Sequence, residues 1–90
     1  MTADCVSENP LPAPDGERFV GAGRVRAFWR KFFDSTPGAR FEAEEVFAAG
    51  DRGVVRWVFH WDDQGGHVRG VDIIRVRDRR VAEKLAYVKG

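Results

Sequence analysis

One carboxylate stands out by its neighbours. In the stretch Val68–Val76 (VRGVDIIRV), Asp72 is set among apolar residues with the alternation of a half-buried β-strand. The preceding run Val54–Trp61 (VVRWVFHW) alternates as well. The loop Asp62–His67 between them carries Gly65-Gly66, a hairpin signal whose glycines supply positive φ without strain. With an even number of residues in that loop, Val55, Trp57, Phe59 and Trp61 share a face with Gly70, Asp72, Ile74 and Val76. This pairing predicts Phe59 directly across from Asp72, with Trp57 and Trp61 on its diagonals. A carboxylate in an aromatic wall is costly unless it is paired, hydrogen-bonded or protonated. The chemistry this points to is acid/base work by Asp72, or a polar anchor for a bound ligand. The alternative is a carboxylate that is merely solvated, or paired with an arginine such as Arg56.

The other reactive side chains are less telling. His60 falls on the face opposite Asp72, and His67 lies in the turn; two separated histidines without ligand spacing predict no metal site. The single cysteine, Cys5, excludes an internal disulfide and a cysteine-rich metal centre. Trp57, Phe59, Trp61, Phe28, Trp29 and Phe32 suit a flat hydrophobic ligand, though rings of this kind also serve simply as core between helix and sheet. Tyr87 is a candidate hydrogen-bond partner for Asp72, or a hydroxyl at the rim of the core.

These residues must be positioned by a small chain. Ninety residues make a single domain, 1–90, near the lower size limit for a self-sufficient core. The apolar fraction of 43% and charged fraction of 32% are those of an ordinary globular protein and exclude wholesale disorder. A net charge of +1 argues against nucleic acid as the main partner. Arg75, Arg77, Arg79 and Arg80 crowd together, as on a solvated hairpin tip. No run approaches the roughly 20 apolar residues of a membrane span. The polar, proline-containing start, Met1–Pro14, lacks a signal-peptide plan, so the expected location is cytoplasmic.

Thr2–Ser7 reads as a short strand or the tail of a helix, and Asn9–Gly16, with its prolines, as a loop. A helix is predicted over about Gly23–Ser35. There Val25, Phe28, Trp29 and Phe32 form one apolar stripe, and Thr36-Pro37-Gly38 ends it. Arg40–Ala49 has weak alternation and helix-compatible Ala and Glu; it is assigned as a strand because Gly50–Gly53 then makes a tight connection to the next one. The last strand, Val81–Val88, follows the turn Arg77–Arg80, in which Arg79 occupies a glycine-like position. An even loop there puts Glu83, Leu85 and Tyr87 on the face of Asp72, and an odd one puts Lys84 and Ala86 there. The expected fold class is α+β, a curved antiparallel sheet of about four strands packed on one main helix.

With these elements in place, the chain resembles the SnoaL-like and ketosteroid-isomerase-like group of the nuclear-transport-factor-2-like superfamily. The resemblance rests on Gly16, Phe19-Val20-Gly21, Val25-Arg26-Ala27-Phe28-Trp29, Ala49-Gly50-Asp51-Arg52, Arg69–Asp78 and Val81-Ala82-Glu83, and spans about Thr2 to Val88. It implies a sheet wrapped into a cone around a pocket. Members of the group ordinarily begin with further helices that close the cone, ahead of a segment like Thr2–Val6. Either the pocket here is open, or a partner covers it, or Met1 is not the natural start. The steroid isomerases use an aspartate before a proline as base; the matching residue here is Asn9, before Pro10, and an amide cannot take that proton. Asp72 matches their oxyanion-binding acid, but the tyrosine that partners it belongs to the missing first helix. Polyketide-cyclising relatives imply instead a single acid/base residue in the cone. Epoxide-opening relatives imply two carboxylates, a role Asp72 and Glu83 could share only in the even-loop register.

The expectation is therefore a small-molecule-binding domain, with cofactor-free acid/base chemistry if it is an enzyme. Asp72 is the catalytic candidate, and Trp57, Phe59, Trp61, Asn9, Phe28, Trp29 and Tyr87 are candidates for holding a hydrophobic substrate. A non-catalytic dimerisation or ligand-carrying module is the alternative. The half-polar outer face, with Val54, Val58, Val71 and Ile73 beside Arg56, Arg69 and Arg75, predicts a homodimer through the sheet.

Overall fold

A computed structural model describes residues 1–61 and 65–89. Residues 62–64, part of the expected glycine hairpin loop, lie outside the described residues. Strands β1 (Val6–Glu8) and β2 (Arg18–Val20) precede helix α1 (Ala22–Ser35). Four long strands follow: β3 (Arg40–Ala49), β4 (Arg52–His60), β5 (His67–Arg77) and β6 (Arg80–Val88). They form one curved sheet in the order β2-β1-β6-β5-β4-β3. The meander β3–β6 is antiparallel, as its hairpin turns require. The expected count of about four strands is corrected to six. The segment around Val6 is extended and lies parallel to β6, while Phe19-Val20 pairs back onto it as β2. Strands of three residues carry too little periodicity to be read from sequence.

Helix α1 starts after Gly21, whose φ of 95° is open only to glycine without strain. It ends where Thr36 turns its hydroxyl back to donate to the Phe32 carbonyl at 2.8 Å. Ala22 and Val25 are buried and pack with Cys5, against which Phe19 and Trp29 also rest. The helix backbone therefore approaches only the β1–β2 end of the sheet. Toward β3 and β4 the helix is joined by rings. Phe32 meets Phe59 at 5.5 Å between centroids, Trp29 meets Phe41 at 6.2 Å, and Phe41 meets Phe59 at 4.7 Å and Trp57 at 5.4 Å. Each such contact adds about 0.5–1.5 kcal/mol beyond area burial.

Two irregularities set which residues face the helix. In β3 the register shifts between Ala43 and Glu45, so Phe41 and Ala43 face inward before the shift and Val46 after it. That explains the weak alternation of this segment. In β6, Val76 pairs with Val81 but Arg75 pairs with Glu83, which leaves Ala82 as an extra residue. The Arg77–Arg80 turn is itself a two-residue loop with Asp78 and Arg79 both at positive φ, 53° and 63°. The bulge after it gives the outcome that an odd loop would have given.

Candidate functional site

The register between β4 and β5 brings the floor of the site together. Val55 pairs with Asp72, Trp57 with Gly70 and Phe59 with Val68. The expected face is right, but the pairing is four residues off: Asp72 lies across from Val55, and Phe59 is further along the strand. Trp61 follows the end of β4, is 48% exposed, and covers Gly66 rather than flanking Asp72.

Trp57 is held by an absence. A Cβ on Gly70 would come within 2.4 Å of the six-membered ring of Trp57 and 2.6 Å of the Tyr87 carbonyl oxygen. The indole thus sits against the glycine backbone of the neighbouring strand, buried to 8% exposure. Among the described residues no acceptor meets its Nε1–H.

Asp72 is equally buried, at 8% exposure. The Ala82 bulge turns Lys84 and Ala86 toward it, and Lys84 Nζ stands 3.4 Å from Asp72 Oδ2. The same ammonium lies 4.4 Å above the Trp29 ring, a cation–π contact that ties α1 to β6. Its second oxygen, Oδ1, has no hydrogen-bond partner among the described residues. The partner is thus a lysine of β6. Arg56, the arginine considered from the sequence, is on the outer face with Glu45 at 3.3 Å.

Around this floor opens a cleft of about 470 Å³, lined by Asn9, Pro10, Leu11, Glu17, Phe28, Trp29, Phe32, Phe41, Trp57, Phe59, Trp61, Val68, Asp72, Lys84, Ala86 and Val88. A second opening on the far side of the Trp29 and Phe41 rings reaches the same Trp57, Asp72 and Lys84, past Phe33, Ala43 and Val55. Asn9 is set at the rim by its loop. Its N–H donates to the Glu17 carbonyl at 2.9 Å, and its own carbonyl packs so tightly on Gly16 (φ 78°) that a Cβ there would overlap it. The structure therefore gathers Asp72, Trp57, Phe59, Trp61, Asn9, Phe28 and Trp29 around one space.

Tyr87 is not among them. The bulge places it on the outer face, 51% exposed, in a depression of about 330 Å³ shared with Glu44, Arg56 and Arg69. Glu83, opposite Arg75, faces outward too, so no second carboxylate of β6 joins Asp72. Phe41 was not singled out from the sequence, and Lys84 was reached only as the odd-loop alternative. The alternation of β3 places Phe41 inward, but nothing in the sequence marks the bulge that selects Lys84. Among the described residues no cluster of three His, Cys, Asp or Glu side chains is placed to hold a metal ion, and no helix is long and apolar enough to cross a membrane.

Comparison with known proteins agrees with this architecture. A family model described as a SnoaL-like domain matches residues 1–84. The crystal structure of a nuclear-transport-factor-2-like protein of unknown function from Mesorhizobium loti is 44% identical, with a TM-score of 0.88, and the alignment covers 100% of this chain and 72% of that one. A candidate polyketide cyclase from Sinorhizobium meliloti is 21% identical (TM-score 0.78, 94% of this chain and 72% of that one). A candidate isomerase of the SnoaL-like family from Agrobacterium tumefaciens is 16% identical (TM-score 0.82, 99% and 74%). The last two establish a shared fold. No protein of curated function matches the chain.

The seat of Trp57 gives a direct prediction. Gly70→Ala forces the indole off the sheet and costs about 1–3 kcal/mol by overpacking. Thermal melts and the near-ultraviolet circular dichroism of the tryptophans should both change. An unchanged melt and spectrum would mean that Trp57 does not lie on Gly70.

Proposed function

The chain belongs to the SnoaL-like family, and on that premise we propose that it binds a flat hydrophobic small molecule in the cleft between α1 and the sheet, with Asp72 as the group that exchanges a proton with it. The observation that carries this reading is a buried carboxylate at the floor of an aromatic-lined space, paired through one oxygen and unpartnered at the other. A volume of about 470 Å³ is within the range of small-molecule sites. Phe28, Trp29, Phe32, Phe41 and Phe59 offer ring faces and edges to a planar ligand. Lys84 supplies the countercharge, which keeps the carboxylate tolerable in such a place. Proton exchange with a bound carbon acid or enol is chemistry that a single carboxylate can carry. The polyketide-cyclase and isomerase descriptions of the structural neighbours are consistent with that reaction class.

The test is a thermal-shift panel of flat polycyclic ligands, followed by turnover assays with any that bind. At least one ligand should raise the melting temperature of the wild type, with the gain lost in Phe59→Ala. Asp72→Asn should abolish turnover of that ligand while leaving its binding within a few-fold. Turnover that survives in Asp72→Asn contradicts the catalytic role. A panel without a single binder contradicts the site.

We also propose that two copies pair through the outer face of the sheet. Its charges are largely compensated within the chain: Glu44 with Arg69, and Glu45 with Arg56. The Arg69 guanidinium holds the exposed Glu44 carboxyl below its ordinary range. What remains open includes the rings of Phe47 and Tyr87, 55% and 51% exposed. Sedimentation should give twice the 10.2 kDa chain mass at micromolar concentration, and Tyr87→Glu should return it to the monomer. A wild type that sediments at one chain mass overturns the proposal.

A further inference from the structure

The outward face of α1 carries charge that nothing in the chain accounts for. Arg24, Arg26, Arg30 and Lys31 are all exposed, and Asp34 is the only acid on the helix. None of the four cations forms an ion pair among the described residues, whereas Arg56 and Arg69 of the outer sheet face are matched to Glu45 and Glu44. The charges do not serve the helix either. Its first turn holds Arg24 and no acid, and its last turn holds Asp34 and no base, the reverse of what the helix dipole favours. Arg26 and Arg30 are like charges one turn apart, which also weakens a helix. At 3.6 residues per turn, Arg26 and Arg30 fall along one flank of this face and Arg24 and Lys31 along the other, with Gly23, Ala27 and Asp34 between them. A Cβ at Gly23 would meet no atom within 4 Å, so the chain's own packing does not call for a glycine there. The strip between the two rows of cations is shallow.

We propose that this face docks an acidic helix of a partner protein. The partner lies along the strip from Gly23 to Asp34, and its carboxylates meet the cation rows on both sides. Small residues at the contact let two helix axes approach to about 8 Å, which brings side chains on the flanks within reach of one another. Asp34 faces a basic residue of the partner, and this one reversed charge sets the direction in which the partner lies. An anionic bilayer fits less well. Binding to a bilayer draws on apolar side chains that insert, and the large apolar side chain nearest this face, Phe33, is turned toward Trp29 and Phe41. Nucleic acid fits less well too, because the chain's net charge of +1 adds no field to these four cations and the strip offers no ring for a base to stack on. The opposite face of α1 walls the cleft through Phe28, Trp29 and Phe32. The partner therefore sits beside the cleft, and the docking does not depend on what the cleft binds.

The probe is an alanine-based helical peptide of about 18 residues with glutamates at i, i+4 spacing, compared with the same peptide carrying glutamines. Binding to the full chain is read by fluorescence anisotropy at low and at physiological salt. The wild type should bind the glutamate peptide about ten-fold more tightly than the glutamine one, and the preference should shrink as salt rises. Arg24→Glu with Arg26→Glu, which takes one cation from each row, should abolish the preference. The first of these changes puts an acid in the first turn, where the dipole favours it, so the helix is retained; circular dichroism checks this for each variant. Arg79→Glu with Arg80→Glu, the same change of net charge at the β5–β6 turn, should leave binding within about two-fold of the wild type. Gly23→Leu, which fills the strip without touching the chain's own atoms, should weaken the glutamate peptide several-fold. Equal affinity for the two peptides overturns the proposal, as does an equal loss in the β5–β6 variant, which would make the attraction one of net charge alone. Unchanged binding in Gly23→Leu would mean that no helix lies in the strip. Phosphatidylserine vesicles or single-stranded DNA binding more tightly than the peptide, with the same dependence on Arg24 and Arg26, would give the face to another class of partner and overturn the proposal as well.

Discussion

A single extra residue in β6 governs what the cleft can do. Side chains on a strand alternate between faces, so a shift of one position exchanges the whole set. Without the bulge at Ala82, the residues facing Asp72 would be Glu83, Leu85 and Tyr87. The carboxylate would then be buried beside a second acid and a phenol. With it, Lys84 and Ala86 face inward, and the ammonium stands 3.4 Å from Asp72 Oδ2. The first arrangement repels and the second compensates. The buried carboxylate is tolerable because of that lysine, and the cleft exists in its present form because the carboxylate is tolerable.

The rest of the scaffold is light. Few apolar side chains are fully buried among the described residues, and the tight contacts of α1 are confined to the β1–β2 end. Over the middle of the sheet, helix and strands meet through aromatic rings that leave space between them. Phe33 and Phe41 remain 48% and 42% exposed. A fully packed interface would be more stable and would have no room for a ligand. Here the rings that would have been core are walls instead, and the Lys84 contact with Trp29 joins the charged pair to the helix. Stability and site therefore share the same residues, as they must in a chain of this size.

Much of this was legible in the sequence, and the limits have physical causes. The helix over Val25–Phe32, the β3–β6 hairpins and the face carrying Asp72 with Trp57 and Phe59 all follow from period and turn chemistry. Those signals span many residues and reinforce one another. The pairing register did not follow, because alternation fixes the face of a strand but not its offset along the neighbour. Gly70 is the residue that settles it, since only a glycine accepts the Trp57 ring. Tyr87 and Lys84 were exchanged by a bulge at an alanine, which has no sequence mark. Strand β1 stayed an alternative to a helix end in the reading of Thr2–Ser7, and β2 was missed, because three residues carry no period.

The cleft floor depends on the Asp72–Lys84 pair, and a double-mutant cycle measures that pair most directly. Stability would be determined for the wild type, Asp72→Asn, Lys84→Met and the double variant, with Glu83→Gln in place of Lys84→Met as the control cycle. Contacting charges of partial exposure should show a coupling of about 1 kcal/mol or more, and the Glu83 cycle should be additive within about 0.5 kcal/mol. Coupling of Asp72 to Glu83 and none to Lys84 would place β6 in the other register and contradict the site described here.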